Sequence, residues 1–114
     1  MSDYVLDDWD MNYIFDEAPV PVTKEEANVL YEYAISPEGY GSVECALVVE
    51  QESKYWSVDG WADTTGWDCR SGVNWYGPYD SVLGAVSQLS QEHRRALGFE
   101  HSPIPEDVYR DYEA

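Results

Sequence analysis

Two histidines, His93 and His101, and two cysteines, Cys45 and Cys69, are the side chains here best suited to proton transfer, nucleophilic attack or soft-metal ligation. As a zinc set they have the right number. Yet the steps from 45 to 69, 69 to 93 and 93 to 101 are 24, 24 and 8 positions, and include no close ligand pair. Both cysteines have apolar neighbours and read as ordinary thiols on adjoining strands. His93 lies in a polar helical turn beside Arg94 and Arg95, and His101 in a proline-rich tail, so both read as exposed.

Asp59, Asp63 and Asp68 punctuate residues 59–68, but without the alternating carboxylate spacing of a calcium loop. Turn formation by Asp and Gly explains them without a metal. Carboxylate pairs for acid–base work are abundant by number alone and single out nothing. There is no glycine-rich phosphate loop followed by lysine, no dinucleotide fingerprint and no nucleophile elbow. The expectation is a protein that is not an enzyme and has no cofactor or metal.

Aromatic residues are the more distinctive feature. Tyr55, Trp56, Trp61, Trp67, Trp75, Tyr76 and Tyr79 all fall within residues 55–79. Trp56 and Trp75 read first as core. A small sheet has limited room, so some of these rings must reach the surface, where Trp and Tyr anchor interfaces. Trp61, Trp67, Trp75 and Tyr76 are the candidates for a small-ligand or carbohydrate-binding platform.

Charge narrows the class of partner. Lys+Arg 6 against Asp+Glu 23 gives a net charge of −17 over 114 residues. The front is the more acidic part, since residues 1–53 hold 13 carboxylates and one base, Lys24. Such a surface repels phosphates, which argues against direct nucleic-acid binding and against anionic membranes. A basic protein surface would be attracted and its encounter accelerated. Solubility alone is the simpler explanation of the acidity. The candidate partner-binding residues are Asp3, Asp7, Asp8, Asp10, Asp16, Glu17, Glu25 and Glu32, with Trp9 and Tyr13 as apolar anchors.

These residues need elements to position them. Residues 1–22 read as an acidic, aromatic arm holding a short helix or strand, which either docks on the body or awaits a partner. Deleting it is the direct way to locate the site. Thr23 and Glu26 match a capping box, and Ala27, Leu30, Tyr31, Ala34 and Ile35 form one apolar stripe, predicting a helix over 24–36. Val43, Cys45, Leu47 and Val49 alternate with polar neighbours, as a strand does, and Tyr55–Trp61 reads as its antiparallel partner. A third extended segment runs from Trp67 to about Tyr76, with Ser71-Gly72 as a bulge or a hairpin tip. Asp80 or Ser81 caps a helix with Val82, Leu83, Val86 and Leu89 inward, and Ser90 caps a further turn ended by Gly98. The tail, 99–114, holds Pro103, Pro105 and a possible short helix.

The reading is one α+β domain: an arm (1–22), a body (23–98) and a tail (99–114). A three- to four-stranded antiparallel sheet carries two main helices on one face, in the order arm-α-β-β-β-α-tail. The two cysteines exclude a disulfide scaffold. The start lacks a basic segment followed by an apolar core, so the expected location is cytoplasmic.

The stretch Gly60-Trp61-Ala62-Asp63-Thr64-Thr65-Gly66-Trp67-Asp68-Cys69, then Val73–Tyr79 and Ser90–Phe99, resembles small acidic proteins of unknown function from actinobacterial phages. The likeness covers residues 60–99 and carries no catalytic residues. It implies a non-structural product acting inside a bacterial host on host machinery. One such role is imitation of DNA charge toward a restriction, CRISPR or transcription protein.

Overall fold

The computed structural model describes residues 2–37, 42–63, 67 and 70–100. Four antiparallel strands form a meander: β2 (Asn28–Ser36), β3 (Val43–Gln51), β4 (Lys54–Ala62) and β5 (Ser71–Tyr79). A two-residue strand, β1 (Ser2–Asp3), extends the sheet by pairing with Ile35 and Ser36 of β2. Three helices complete the fold: α1 (Asp8–Asp16), α2 (Val82–Val86) and α3 (Gln91–Ala96). This is an α+β fold built on an antiparallel sheet, as the sequence predicts.

The organising element is β3. Along it Val43, Cys45, Leu47 and Val49 face one way, while Ala46 and Val48 face the other, and all six are buried. A strand apolar on both faces needs cover on both. The predicted placement of the helices on a single face is therefore corrected. Ile14 of α1 packs with Cys45, Leu47, Val49, Trp56 and Val58 on one face. Ala85 and Val86 of α2 pack on Val48 on the other.

The helix predicted over 24–36 is a second correction, because residues 28–36 form strand β2. The capping residues do act locally, with the Glu26 amide donating to Thr23 Oγ1 over 3.2 Å. The turn then stops. Val29, Tyr31, Tyr33 and Ile35 are β-branched or aromatic at every second position, and pairing with β3 outweighs an isolated helix. The register slips between Val29 and Tyr31, so Leu30 is a bulge. Across that bulge Val29, opposite Val49, and Tyr31, opposite Val48, face opposite sides of the sheet.

Elsewhere the local signals act as expected. Ser81 and Ser90 cap α2 and α3, their hydroxyls accepting from Gly84 and His93 amides. Gly98 has φ +92, the left-handed conformation that ends a helix. Strand β5 begins at Ser71, with Gly72 opposite Trp61, and runs through Gly77 to Tyr79, so Ser71-Gly72 is no hairpin tip. The possible tail helix lies outside the described residues.

Candidate functional site

Helix α1 turns the arm into part of the body. Its N-cap is Asp7, whose carboxylate accepts from the Asp10 amide at 2.9 Å, while Asp10 Oδ2 accepts from the Asp7 amide at 3.0 Å. This reciprocal pair starts the helix, and negative charge suits the positive end of its dipole. Ile14 is fully buried, and Met11 and Phe15 pack beside it.

Asp10 is a correction to the partner-binding set, because only 5% of it is exposed. Its second oxygen accepts from Trp67 Nε1 at 2.7 Å, and Tyr4 donates its hydroxyl to Oδ2 at 2.9 Å. Burying a carboxylate is costly unless its oxygens are satisfied, and here they hold the arm on the sheet. Gln51 fastens the other end of the arm, accepting from the Thr23 amide at 3.1 Å and donating to the Pro21 carbonyl at 2.9 Å.

Of the remaining acids, Asp7, Asp8, Asp16, Glu17, Glu25 and Glu32 are exposed. Asp8 and Asp16 stand eight residues apart on the outer side of α1, roughly 12 Å along its axis. Glu17 follows at the C-cap, Glu25 lies in the turn before β2 and Glu32 is on β2 itself. The last two were expected on a helix and are placed instead by a turn and a strand. Glu32 pairs with Leu47, so its side chain rises on the α1 side of the sheet. The backbone of Asp3 pairs with Ile35; its side chain lies outside the described set.

Among the described residues, none of Asp7, Asp8, Asp16, Glu17, Glu25 and Glu32 forms an ion pair. Lys54, Arg70 and Arg95 are engaged elsewhere, with Asp80, Asp63 and Glu100. Lys24, the one base among residues 1–53, donates to Asn12 Oδ1 at 2.8 Å. It lines a shallow cavity of about 250 Å³ with Asp16 and Glu25. The last turn of α1 holds no basic residue, so Asp16 and Glu17 face the negative end of the helix dipole.

Trp9 stands in this acidic surface with 59% of its area exposed. Its ring is 5.9 Å from Tyr13, which is half-buried and stacks on Trp67 at 6.5 Å. Thus the exposed indole is braced through Tyr13 to the same Trp67 that grips Asp10.

The aromatic candidates divide between the two faces. Trp67 is buried, and Trp75 is half-buried, its Nε1 donating to the Ile14 carbonyl at 3.0 Å. Both hold α1 and are corrected from ligand platform to scaffold. Trp61 and Tyr76 lie on the opposite face. Trp61 is 44% exposed and borders a cavity of about 360 Å³ with Glu44, Asp63 and Arg70. Tyr76 and Asn74 donate to the two oxygens of Asp59, at 3.1 and 2.9 Å.

His93 is more enclosed than its sequence setting suggested: Nε2 lies 3.1 Å from Glu44 Oε1, with Tyr33 beside the ring. The thiol of Cys45 is pushed up to about 12, first by burial and then by the charges of Asp10 and Asp59. At that value it is an inert core group. Cys69, Asp68 and His101 lie outside the described residues. Among the described residues no three of His, Cys, Asp and Glu gather as metal ligands would. Likewise, no helix among them is long and apolar enough to cross a membrane.

Fold and site together define a small α+β protein with an acidic face built on a docked N-terminal helix, whose exposed carboxylates form no ion pair among the described residues. Compared with protein-family models, curated proteins and solved structures, the chain matches none.

Proposed function

We propose that this chain is a non-enzymatic interaction protein whose α1 face binds a basic protein surface. One observation carries the reading. Asp16 and Glu17 are placed at the negative end of α1 with no base in its last turn, although local stability there favours Lys or Arg. Acids kept against that preference, around a braced and exposed Trp9, have the composition of a binding surface with an aromatic anchor. The phage resemblance extends the proposal: the partner is a host protein that binds nucleic acid, met in the cytoplasm, and the carboxylates occupy its phosphate-binding groove.

Deleting the arm does not test this, because Asp10 and Ile14 are part of the core. The better probe is a variant that removes charge alone: Asp8→Asn, Asp16→Asn, Glu17→Gln and Glu25→Gln, with Asp7 and Asp10 retained. Capture from a bacterial lysate at low salt, followed by titration of the purified partner, should show binding that falls steeply with salt and is lost in this variant. Equal capture by both forms would sink the reading.

A second reading is kept by Trp61, exposed beside a cavity on the opposite face. It makes the chain a small-ligand or carbohydrate-binding module using Trp61 and Tyr76. Titration of sugars and nucleotides against tryptophan emission tests it, with Trp61→Phe as the control. A response that persists in that variant does not come from this site.

A further inference from the structure

Among the described residues, the outer edge of β2 is open along most of its length. Strand β1 covers only Ile35 and Ser36, and the Tyr4 amide then donates to the Ala34 carbonyl at 3.1 Å before the arm leaves the edge. Backbone groups alternate sides along a strand, so with Ala34 turned outward Glu32 is turned outward too. No described residue bonds to the amide or carbonyl of Glu32. Beside it Val29, Leu30 and Tyr31 are all exposed, and Leu30 has no partner on β3. An open edge flanked by apolar side chains is a template for another strand.

Charge decides which strand. Glu25, Glu26 and Glu32 lie along or just before this edge, all exposed, so a second copy of the chain would bring like charges together. An extended segment with Lys or Arg at alternate positions meets the opposite condition. We infer that the basic partner docks by adding a strand to β2 at Asn28–Glu32. This inference rests on the proposed function and supplies its geometry, with main-chain hydrogen bonds giving alignment and carboxylates giving selection.

The test uses the full chain and a short peptide of alternating lysine and valine. A second peptide is N-methylated on the residues that would donate to the edge. The parent peptide should bind about tenfold more tightly than the methylated one, as loss of a pair of backbone hydrogen bonds implies. Glu32→Pro should weaken the parent peptide beyond the effect of Glu32→Gln, because it also removes the outward amide that donates to the added strand, whereas Glu32→Gln should keep the tenfold difference while weakening both peptides. Proline is tolerated at an edge position, and a normal thermal melt of the variant establishes that it folds.

Equal binding of both peptides, lost together as salt rises, overturns strand addition and leaves the charge reading standing. A tenfold preference that survives neutralisation of Asp8, Asp16, Glu17 and Glu25, with the affinity of both peptides unchanged, supports strand addition and counts against the acidic face. Failure of the parent peptide to bind, or dimerisation of the chain through β2, overturns the inference.

Discussion

Trp67 Nε1 donates to Asp10 Oδ1 across 2.7 Å, joining side chains 57 positions apart in the chain. The bond ties α1 to the segment between β4 and β5, and so ties the acidic surface to the sheet. An acid that resembles its exposed neighbours in sequence is thereby a structural acceptor.

Replacing Asp10 should therefore differ sharply from replacing Asp8. Asp10→Asn presents an amide to three donors, from Tyr4, Asp7 and Trp67, and leaves some of them unsatisfied. The expected loss is about 3 kcal/mol, or roughly 12 °C in melting temperature. Asp8→Asn should stay within about 0.5 kcal/mol of the parent. Thermal unfolding followed by circular dichroism checks both, and equal effects would contradict the assignment.

Alkaline pH should weaken the fold through two groups. Cys45 rises from an ordinary 9.0 to about 12, chiefly by burial, and Tyr4 from 10.0 to about 12, by burial and by its bond to Asp10. Above about 9 the unfolded chain sheds protons that the folded chain keeps, so unfolding becomes easier as pH rises. Their contribution is complete below 9.0 and is lost progressively toward 12. Urea midpoints measured between those limits should fall, and less steeply in Cys45→Ala. An unchanged slope in that variant would remove Cys45 from the account.

Two glycines make opposite predictions. At Gly77, φ is +140 and an added Cβ would lie 2.6 Å from Trp56 Cδ1 and 2.9 Å from the Tyr55 carbonyl oxygen. Gly77→Ala should cost about 2 kcal/mol or more, since neither a buried ring nor a backbone can withdraw. At Gly72 the added Cβ would lie 2.5 Å from Nε1 of Trp61, an indole that is 44% exposed and free to swing outward. Gly72→Ala should leave the melt nearly unchanged and alter tryptophan emission. Chemical denaturation and fluorescence of the two variants check the pair.

The strands β3 and β4 were legible because their side chains alternate and the chain between them, Glu52-Ser53, is a tight turn with φ of 54 and 64. The caps at Ser81 and Ser90 were legible for a similar reason: a short polar side chain meets a local need. Strand β2 was not. Leu30 shifts its register by one, and local spacing cannot reveal which neighbouring strand will claim a segment. Asp10 was misplaced because burial depends on Tyr4 and Trp67 arriving from elsewhere. One local sign did exist: Asp7 and Asp10 have capping-box spacing ahead of Met11, Ile14 and Phe15. The separation of Trp61 from Trp67 and Trp75 follows from the pairing of β4 with β5, which spacing alone leaves open.

The strands succeed one another in the sheet in chain order, each beside its neighbour in sequence. Such hairpins close short loops at small entropic cost, whereas the clasp between Asp10 and Trp67 must close a loop of 57 positions. The meander is thus expected to assemble first and the arm to seal it afterwards. Until that final step the carboxylates of α1 have no fixed arrangement. A partner that requires this pattern would ignore nascent or partly folded chains and engage finished molecules alone.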